Sequence, residues 1–221
     1  MEVNQINSAS GSSVFLQEHS AAIRIWHWLT FLIISGSIIT VLINSTLTNQ
    51  RANVPMVQEQ LKSKNVVVTE DQAFAVTREY EDKFWGIHKL LGYSLAFLLI
   101  ARSIIELTQP GEEKIKTRIK NALGLFRKRD GNRMDYRHYL GVKYGYLLFY
   151  LLLSCMAITG LCMAFGRDLG LPREISRTLR EIHSFGQYLM YAFVIIHLSG
   201  VLIADITNNK GLVSGMINGN K

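Results

Sequence analysis

Histidine is the residue type in this chain whose spacing could support chemistry. Four of the six histidines lie within or at the ends of long apolar runs, where a single imidazole is a satisfied core residue, a proton relay or a metal ligand: His27, His88, His183 and His197. His183 and His197 are 14 residues apart, which on an ideal helix is about 21 Å of rise and a return to within about 40° of the same face. This spacing predicts two sites on one helix face, at two membrane depths.

The position of each histidine within its run predicts how the four pair. His27 lies near the start of the first run and His197 near the end of the fourth, so alternating spans would bring them to one depth. His88 and His183 would then share the other depth. One metal ion cannot bridge about 20 Å. Two alternatives remain open at this point: two metal centres with two imidazoles each, or a histidine relay without metal.

Paired imidazoles favour a haem over other metal groups. Two imidazoles that face one another across helices leave a slot for a flat macrocycle, and ligation from both sides closes the iron to external ligands. That arrangement is typical of electron transfer rather than oxygen binding. The chain has no C-x-x-C-H sequence for covalent attachment, so we expect two non-covalent b haems, with all four histidines as iron ligands.

The elements that carry these histidines are four apolar runs, long enough to cross a hydrocarbon core of about 30 Å. The chain has 221 residues, 48% of them hydrophobic, and most of its charge lies between the runs. The sequence therefore predicts an all-α integral membrane four-helix bundle holding two b haems. We expect a tail at 1–24, a dihaem domain at 25–206 with spans at 25–43, 84–107, 140–165 and 182–203, an outer loop at 44–83, a basic loop at 108–139, and a tail at 207–221.

The distribution of basic residues predicts the topology. The net charge is +7, but the lysines and arginines flank apolar runs, which indicates anionic lipid as the partner rather than nucleic acid. An even number of spans places both tails and loop 108–139 on one side, with 12 basic residues against 9 on the other. Both termini are therefore predicted to be cytoplasmic. Apolar residues at helical spacing in 115–126 indicate a helix on the membrane face, or else a solvated basic loop.

Charged and sulfur-containing residues inside the runs need separate explanations. Arg102 follows His88 by 14 residues, which places it at the predicted level of His27 and His197. There it either compensates a haem propionate or extends to the membrane interface. Cys155 and Cys162 are seven residues apart in one run, about 10 Å along a helix, so they are predicted to be packing residues and not a disulfide.

The opening of the first span, Arg24-Ile25-Trp26-His27-Trp28, resembles the R-x-x-H-W start of bacterial dihaem cytochromes b. This family includes the b-type subunits of nickel-iron hydrogenases, the gamma subunits of formate dehydrogenases and the bacterial cytochrome b561 proteins. The 14-residue histidine spacing in the last span is also similar to theirs. The resemblance covers roughly residues 20 to 206, apart from 44–83, and implies the bacterial inner membrane.

The same resemblance implies a function. In the family, such helices carry electrons between a partner redox subunit on the outer face and a quinone near the cytoplasmic haem, as part of a respiratory oxidoreductase rather than a complete enzyme. His138 and Lys143 occupy the region of the family's quinone-site groups, although Tyr139 and Leu140 stand where an Asn-Pro pair is common. The acidic segment 44–83 would be either the docking surface for the partner subunit or a solvated loop.

Two other functions remain open from the residues. A stand-alone quinol-dependent oxidoreductase of the cytochrome b561 type would use the same four ligands and would turn over as an isolated chain. A haem-free proton or metal transporter would use the histidines as a relay, and the purified protein would be colourless.

Overall fold

The structure is a computed structural model that describes residues 20–108, 133–207 and 212–219, with positions 117 and 120 described individually. The secondary structure of the described part is helical, with short non-helical segments at 47–49, 63–69 and 165–172. In chain order they are α1 (Ala21–Thr46), α2 (Gln50–Lys62), α3 (Glu70–Thr108), α4 (Arg133–Ala164), α5 (Arg173–Thr207) and α6 (Leu212–Asn218).

Four of these helices are long and apolar enough to cross a membrane: Ala21–Thr46, Glu70–Thr108, Leu140–Ala164 and Arg173–Thr207. Most of their large apolar side chains are exposed. Exposure of that extent would be costly in water, because each square ångström of apolar surface left in water costs about 25 cal/mol. The prediction of four helical membrane spans is confirmed.

Local hydrogen bonds explain where the first and third helices begin. The Ser20 hydroxyl accepts from the Ile23 N–H, which caps α1. At the start of α3, the Thr69 hydroxyl accepts from the Gln72 N–H, and the Gln72 side-chain oxygen accepts from the Thr69 N–H. This reciprocal capping box satisfies two backbone donors that would otherwise lack partners.

The segment 44–83, predicted as a connecting loop, contains two helical stretches. The Asn49 side chain accepts from the Ala52 N–H and starts α2. The first part of α3 then extends 14 residues ahead of the predicted span at 84–107. Exposed ion pairs one turn apart, Arg78–Asp82 and Glu79–Lys83, favour this extension. The predicted surface helix at 115–126 lies almost entirely outside the described residues.

The chain divides into two compact units, each taken here as far as it is described. The first unit comprises Met1–His27, Leu99–Met156 and Ile182–Lys221; the second comprises Trp28–Leu98 and Ala157–Glu181. In the first, Phe149 of α4 contacts Phe193 of α5, with ring centroids 5.2 Å apart. In the second, Tyr93 of α3 stacks on Phe165, with centroids 5.8 Å apart. An aromatic contact therefore stabilises each unit.

Candidate functional site

In the first unit, His27 of α1 and His197 of α5 lie opposite one another. Their ring centroids are 6.3 Å apart and their planes are inclined by 57°. A metal bound between two imidazoles takes nitrogen bonds of about 2 Å. With the distance from each nitrogen to its ring centre added, the two centroids would be about 6 Å apart. The spacing therefore suits one metal between the two rings, and this predicted pair is brought together.

Aromatic rings hold His197 in its orientation. Its imidazole stacks on Phe193, one turn earlier in α5, with centroids 6.0 Å apart and planes inclined by 5°. Gly200, one turn later, is exposed, and a Cβ added there would meet none of the described atoms within 4 Å.

Arg102 lies in the same unit and is buried, with 8% of its surface exposed. Its Nε donates to the Tyr150 hydroxyl at 3.1 Å, and its Nη2 donates to the Glu106 carboxylate at 3.2 Å. The third nitrogen, Nη1, is buried and has no hydrogen-bond partner among the described residues. The Tyr150 ring lies 6.1 Å from that of Trp26, the neighbour of His27. A buried guanidinium donor thus remains available near the His27–His197 pair.

His88 belongs to the second unit, where hydrogen bonds rather than ring stacking hold its imidazole. The Thr40 hydroxyl of α1 lies 3.0 Å from His88 Nδ1. The edge of Trp85, one turn earlier in α3, meets the ring at a centroid distance of 5.5 Å. Sequence reasoning missed Thr40, because a threonine in an apolar helix usually bonds to its own backbone and nothing in the sequence joins residues 48 positions apart.

His183 lies in α5 within the first unit, whereas His88 lies in the second. The pairing of these two histidines therefore stays a prediction. Gly186, one turn after His183, is buried, and a Cβ there would lie 2.7 Å from Met156 Sδ. The close approach at this glycine is thus between α5 and α4.

The remaining predicted site residues are in α4. Lys143 is buried, with 7% of its surface exposed, and its ammonium lies 5.4 Å from the centre of the Tyr146 ring. The side chain of His138 lies outside the described residues, although its backbone belongs to α4. Cys155 and Cys162 are free thiols, half-buried in the same helix.

Within the described ranges, the structure has no group of three or more His, Cys, Asp or Glu side chains that could hold a metal ion. A pair of imidazoles alone does not complete the coordination of a metal. A macrocycle supplies the missing ligands in haem proteins, whose iron needs only axial residues from the chain. The donor set of paired histidines therefore fits a haem better than a bare metal ion.

Four apolar spans with facing imidazoles define a helical membrane protein with a site suited to a macrocyclic metal group. The family model for prokaryotic cytochrome b561 matches residues 18–219, and the chain belongs to that family. It is therefore an all-helical membrane b-type cytochrome that acts in electron transfer. The match includes residues 44–83, beyond the extent of the resemblance noted from the sequence. No curated protein and no solved structure was found to match the chain.

Proposed function

We propose that this chain binds two b haems and transfers electrons across the bacterial inner membrane, between the quinone pool and a partner redox subunit. The observation that carries the proposal is the His27–His197 pair, with ring centroids 6.3 Å apart. Two imidazoles at that spacing can ligate one iron from both sides. The second haem would be held by His88 and His183, which the proposal pairs by their sequence positions.

Each haem, when bound, supplies a one-electron iron couple whose potential depends on the surrounding residues. The chain's own residues orient and neutralise that group. His27 and His197 provide the axial nitrogens, and Phe193 fixes the plane of His197. Arg102 Nη1, buried without a hydrogen-bond partner in the described part of the chain, is the donor assigned to a haem propionate. A charge-assisted bond of this kind would satisfy the guanidinium.

The proposal places both termini in the cytoplasm, because their side carries the larger number of basic residues. Quinone exchange is assigned to that same side, near the His27–His197 haem. Lys143 is the described residue that supports this assignment, since it is a cation buried within a span. A buried ammonium in a membrane helix commonly marks a functional site. His138, five residues earlier, is assigned to the same quinone site.

The outer face would receive the partner redox subunit, a hydrogenase, dehydrogenase or multihaem cytochrome. Its proposed docking surface is the second-unit segment formed by α2 and the beginning of α3. This segment presents exposed carboxylates, including Glu70, Asp71 and Asp82, beside the exposed ring of Tyr80. Carboxylates and aromatic rings on one surface suit a transient protein partner.

The test is the haem content of the purified full chain, together with its reduction by a quinol in lipid vesicles. We expect two haems per chain in a pyridine haemochrome assay and reduction of both by the quinol. A colourless protein, or one haem per chain, would overturn the dihaem proposal. Sustained quinol oxidation with a soluble acceptor, with no partner subunit, would instead establish a stand-alone oxidoreductase.

The quinone site has its own test. The Lys143→Gln and His138→Gln variants should retain both haems but slow haem reduction by a quinol analogue. Lys89→Gln is the matched control, because Lys89 lies in another span, on α3, and is exposed. Unchanged rates in both α4 variants, or equal slowing in the control, would remove these residues from the quinone site.

A further inference from the structure

The hydrogen bonds at His88 determine which of its ring nitrogens carries the proton. Thr40 is buried, with 5% of its surface exposed. Its hydroxyl donates to the Ser37 carbonyl of its own helix at 2.7 Å. The same oxygen lies 3.0 Å from His88 Nδ1, contributed by α3. One hydroxyl group therefore joins the α1 backbone to the imidazole.

A threonine hydroxyl carries a single hydrogen. Because that hydrogen points to the Ser37 carbonyl, the oxygen can only accept from the imidazole. The contact between the Thr40 oxygen and His88 therefore requires a proton on Nδ1.

A proton on Nδ1 leaves the lone pair of Nε2 available to a metal. Histidine ligands generally donate their second N–H to a carbonyl or another acceptor, which fixes the ring and makes the ligating nitrogen more basic. The edge of Trp85 confines the ring from another direction, with the two planes inclined by 89°. The Trp85 N–H itself donates to Glu81 at 3.2 Å, so that ring is also held in place.

We propose that Thr40 is a positioning residue for His88: its hydroxyl, which donates to the Ser37 carbonyl of α1, holds the proton on Nδ1, presents Nε2 to the iron, and lowers the reduction potential of the haem bound there. The inference rests on the proposed function, in which His88 is an iron ligand. It adds a residue that neither the family match nor the histidine spacing identifies. The physical reason for the lower potential is that an acceptor at Nδ1–H increases electron donation by the imidazole and so stabilises the ferric iron.

The test compares reduction potentials of the full-length protein in wild type and in T40V, which keeps the shape of the side chain and removes the oxygen. We expect the potential of the haem that His88→Ala removes to rise in T40V, with the other haem unchanged. T77V is the matched control. Thr77 is buried to a similar extent, with 4% of its surface exposed, and its hydroxyl donates to the Phe74 carbonyl of its own helix at 3.0 Å.

A second pair of variants keeps the test decisive if T40V binds haem poorly. T40S and T40A both lack the methyl group, and they differ from each other in the hydroxyl. We expect T40S to resemble wild type, and T40A either to raise the potential of the His88 haem or to lose that haem selectively. The proposal is overturned if T40A and T40S behave alike, or if T40V changes neither potential while both haems are retained. Fewer than two haems in the wild type would instead count against the proposed function itself.

Discussion

The two units of the molecule hold their histidines by different means. In the first unit, His197 stacks on Phe193 and faces His27, and the orientation of its ring depends on aromatic contacts. In the second, the buried Thr40 hydroxyl lies 3.0 Å from His88 Nδ1. A hydrogen bond at the second ring nitrogen makes a ligating imidazole a stronger electron donor, whereas stacking by itself does not. The same ligand type can therefore give different reduction potentials in the two units.

This difference has a consequence for the direction of electron flow. If the acceptor at His88 lowers the potential of its haem, that haem is the better reductant unless other charges compensate. In the proposed function, electrons would then leave the haem at His88 more readily than the haem at His27 and His197.

The largest expected effect comes from removing the ligands. His27→Ala and His197→Ala should each remove the same haem and leave the other, because each variant deletes one axial nitrogen of a single pair. His88→Ala and His183→Ala should remove the other haem. Haem stoichiometry and the reduced α-band of each purified variant would measure this. If His27→Ala and His88→Ala bleach the same spectral component, the assignment of pairs is wrong.

The histidine pair and the spans were predictable from the sequence because both depend on simple periodicity. Apolar length predicted the four helices, and the positions of His27 near the start of its span and of His197 near the end of its span predicted that they pair. Helix α2 and the first turns of α3 were missed, although Asn49 and the Thr69–Gln72 capping box are local signals that could have indicated them. The contact between Thr40 and His88 could not be predicted, because it depends on how α1 and α3 rotate against each other. The contact of Arg102 with Tyr150 on α4 required the packed structure for the same reason, whereas Glu106 lies one turn later on the same helix as Arg102.

The next effect in size concerns two arginines of α3 that have the same spacing to an acidic residue but different surroundings. Arg102→Leu should lower stability by about 1–3 kcal/mol, because it leaves Tyr150 and Glu106 without their shared donor in a buried site. Arg78→Leu should cost about 0–1 kcal/mol, since the side chains of its pair with Asp82 are 66% and 63% exposed. Thermal unfolding in detergent, followed by circular dichroism, would measure both.

The outcome also bears on the propionate assignment. Arg102→Leu should weaken retention of the haem that His27→Ala removes, whereas Arg78→Leu should leave both haems in place. Equal loss of stability in the two variants would mean that the burial of Arg102 has no energetic consequence. A destabilised Arg102→Leu protein that keeps both haems at unchanged potentials would restrict Arg102 to a structural role.

A smaller effect is expected from the ring that orients His197. Phe193→Leu keeps the apolar character but removes the stacked plane, and aromatic pairs of this kind contribute about 0.5–1.5 kcal/mol beyond their buried area. Haem at the His27–His197 site should dissociate faster, with a changed low-spin spectrum in electron paramagnetic resonance. Phe185→Leu, on the same helix at a ring that is 65% exposed, is the control. An unchanged spectrum in Phe193→Leu would show that His197 does not need the stack.

The smallest expected effect concerns the approach of α4 to α5 next to His183. Gly186→Ala would place a Cβ 2.7 Å from Met156 Sδ, so the flexible methionine must move. Gly145→Ala, also in the first unit, would meet none of the described atoms within 4 Å. Alanine within a helix is more stable than glycine by about 0.5–1 kcal/mol, so Gly145→Ala should leave the free energy of unfolding unchanged or raise it. Gly186→Ala should have a free energy of unfolding lower than that of Gly145→Ala by a similar amount. Thermal unfolding of the two variants measures that difference in stability. The reduction potential, in Gly186→Ala, of the haem that His183→Ala removes shows whether the α4–α5 contact positions His183. If Gly186→Ala is as stable as Gly145→Ala and neither haem potential changes, Met156 gives way freely and the close approach at Gly186 has no part in placing the ligand.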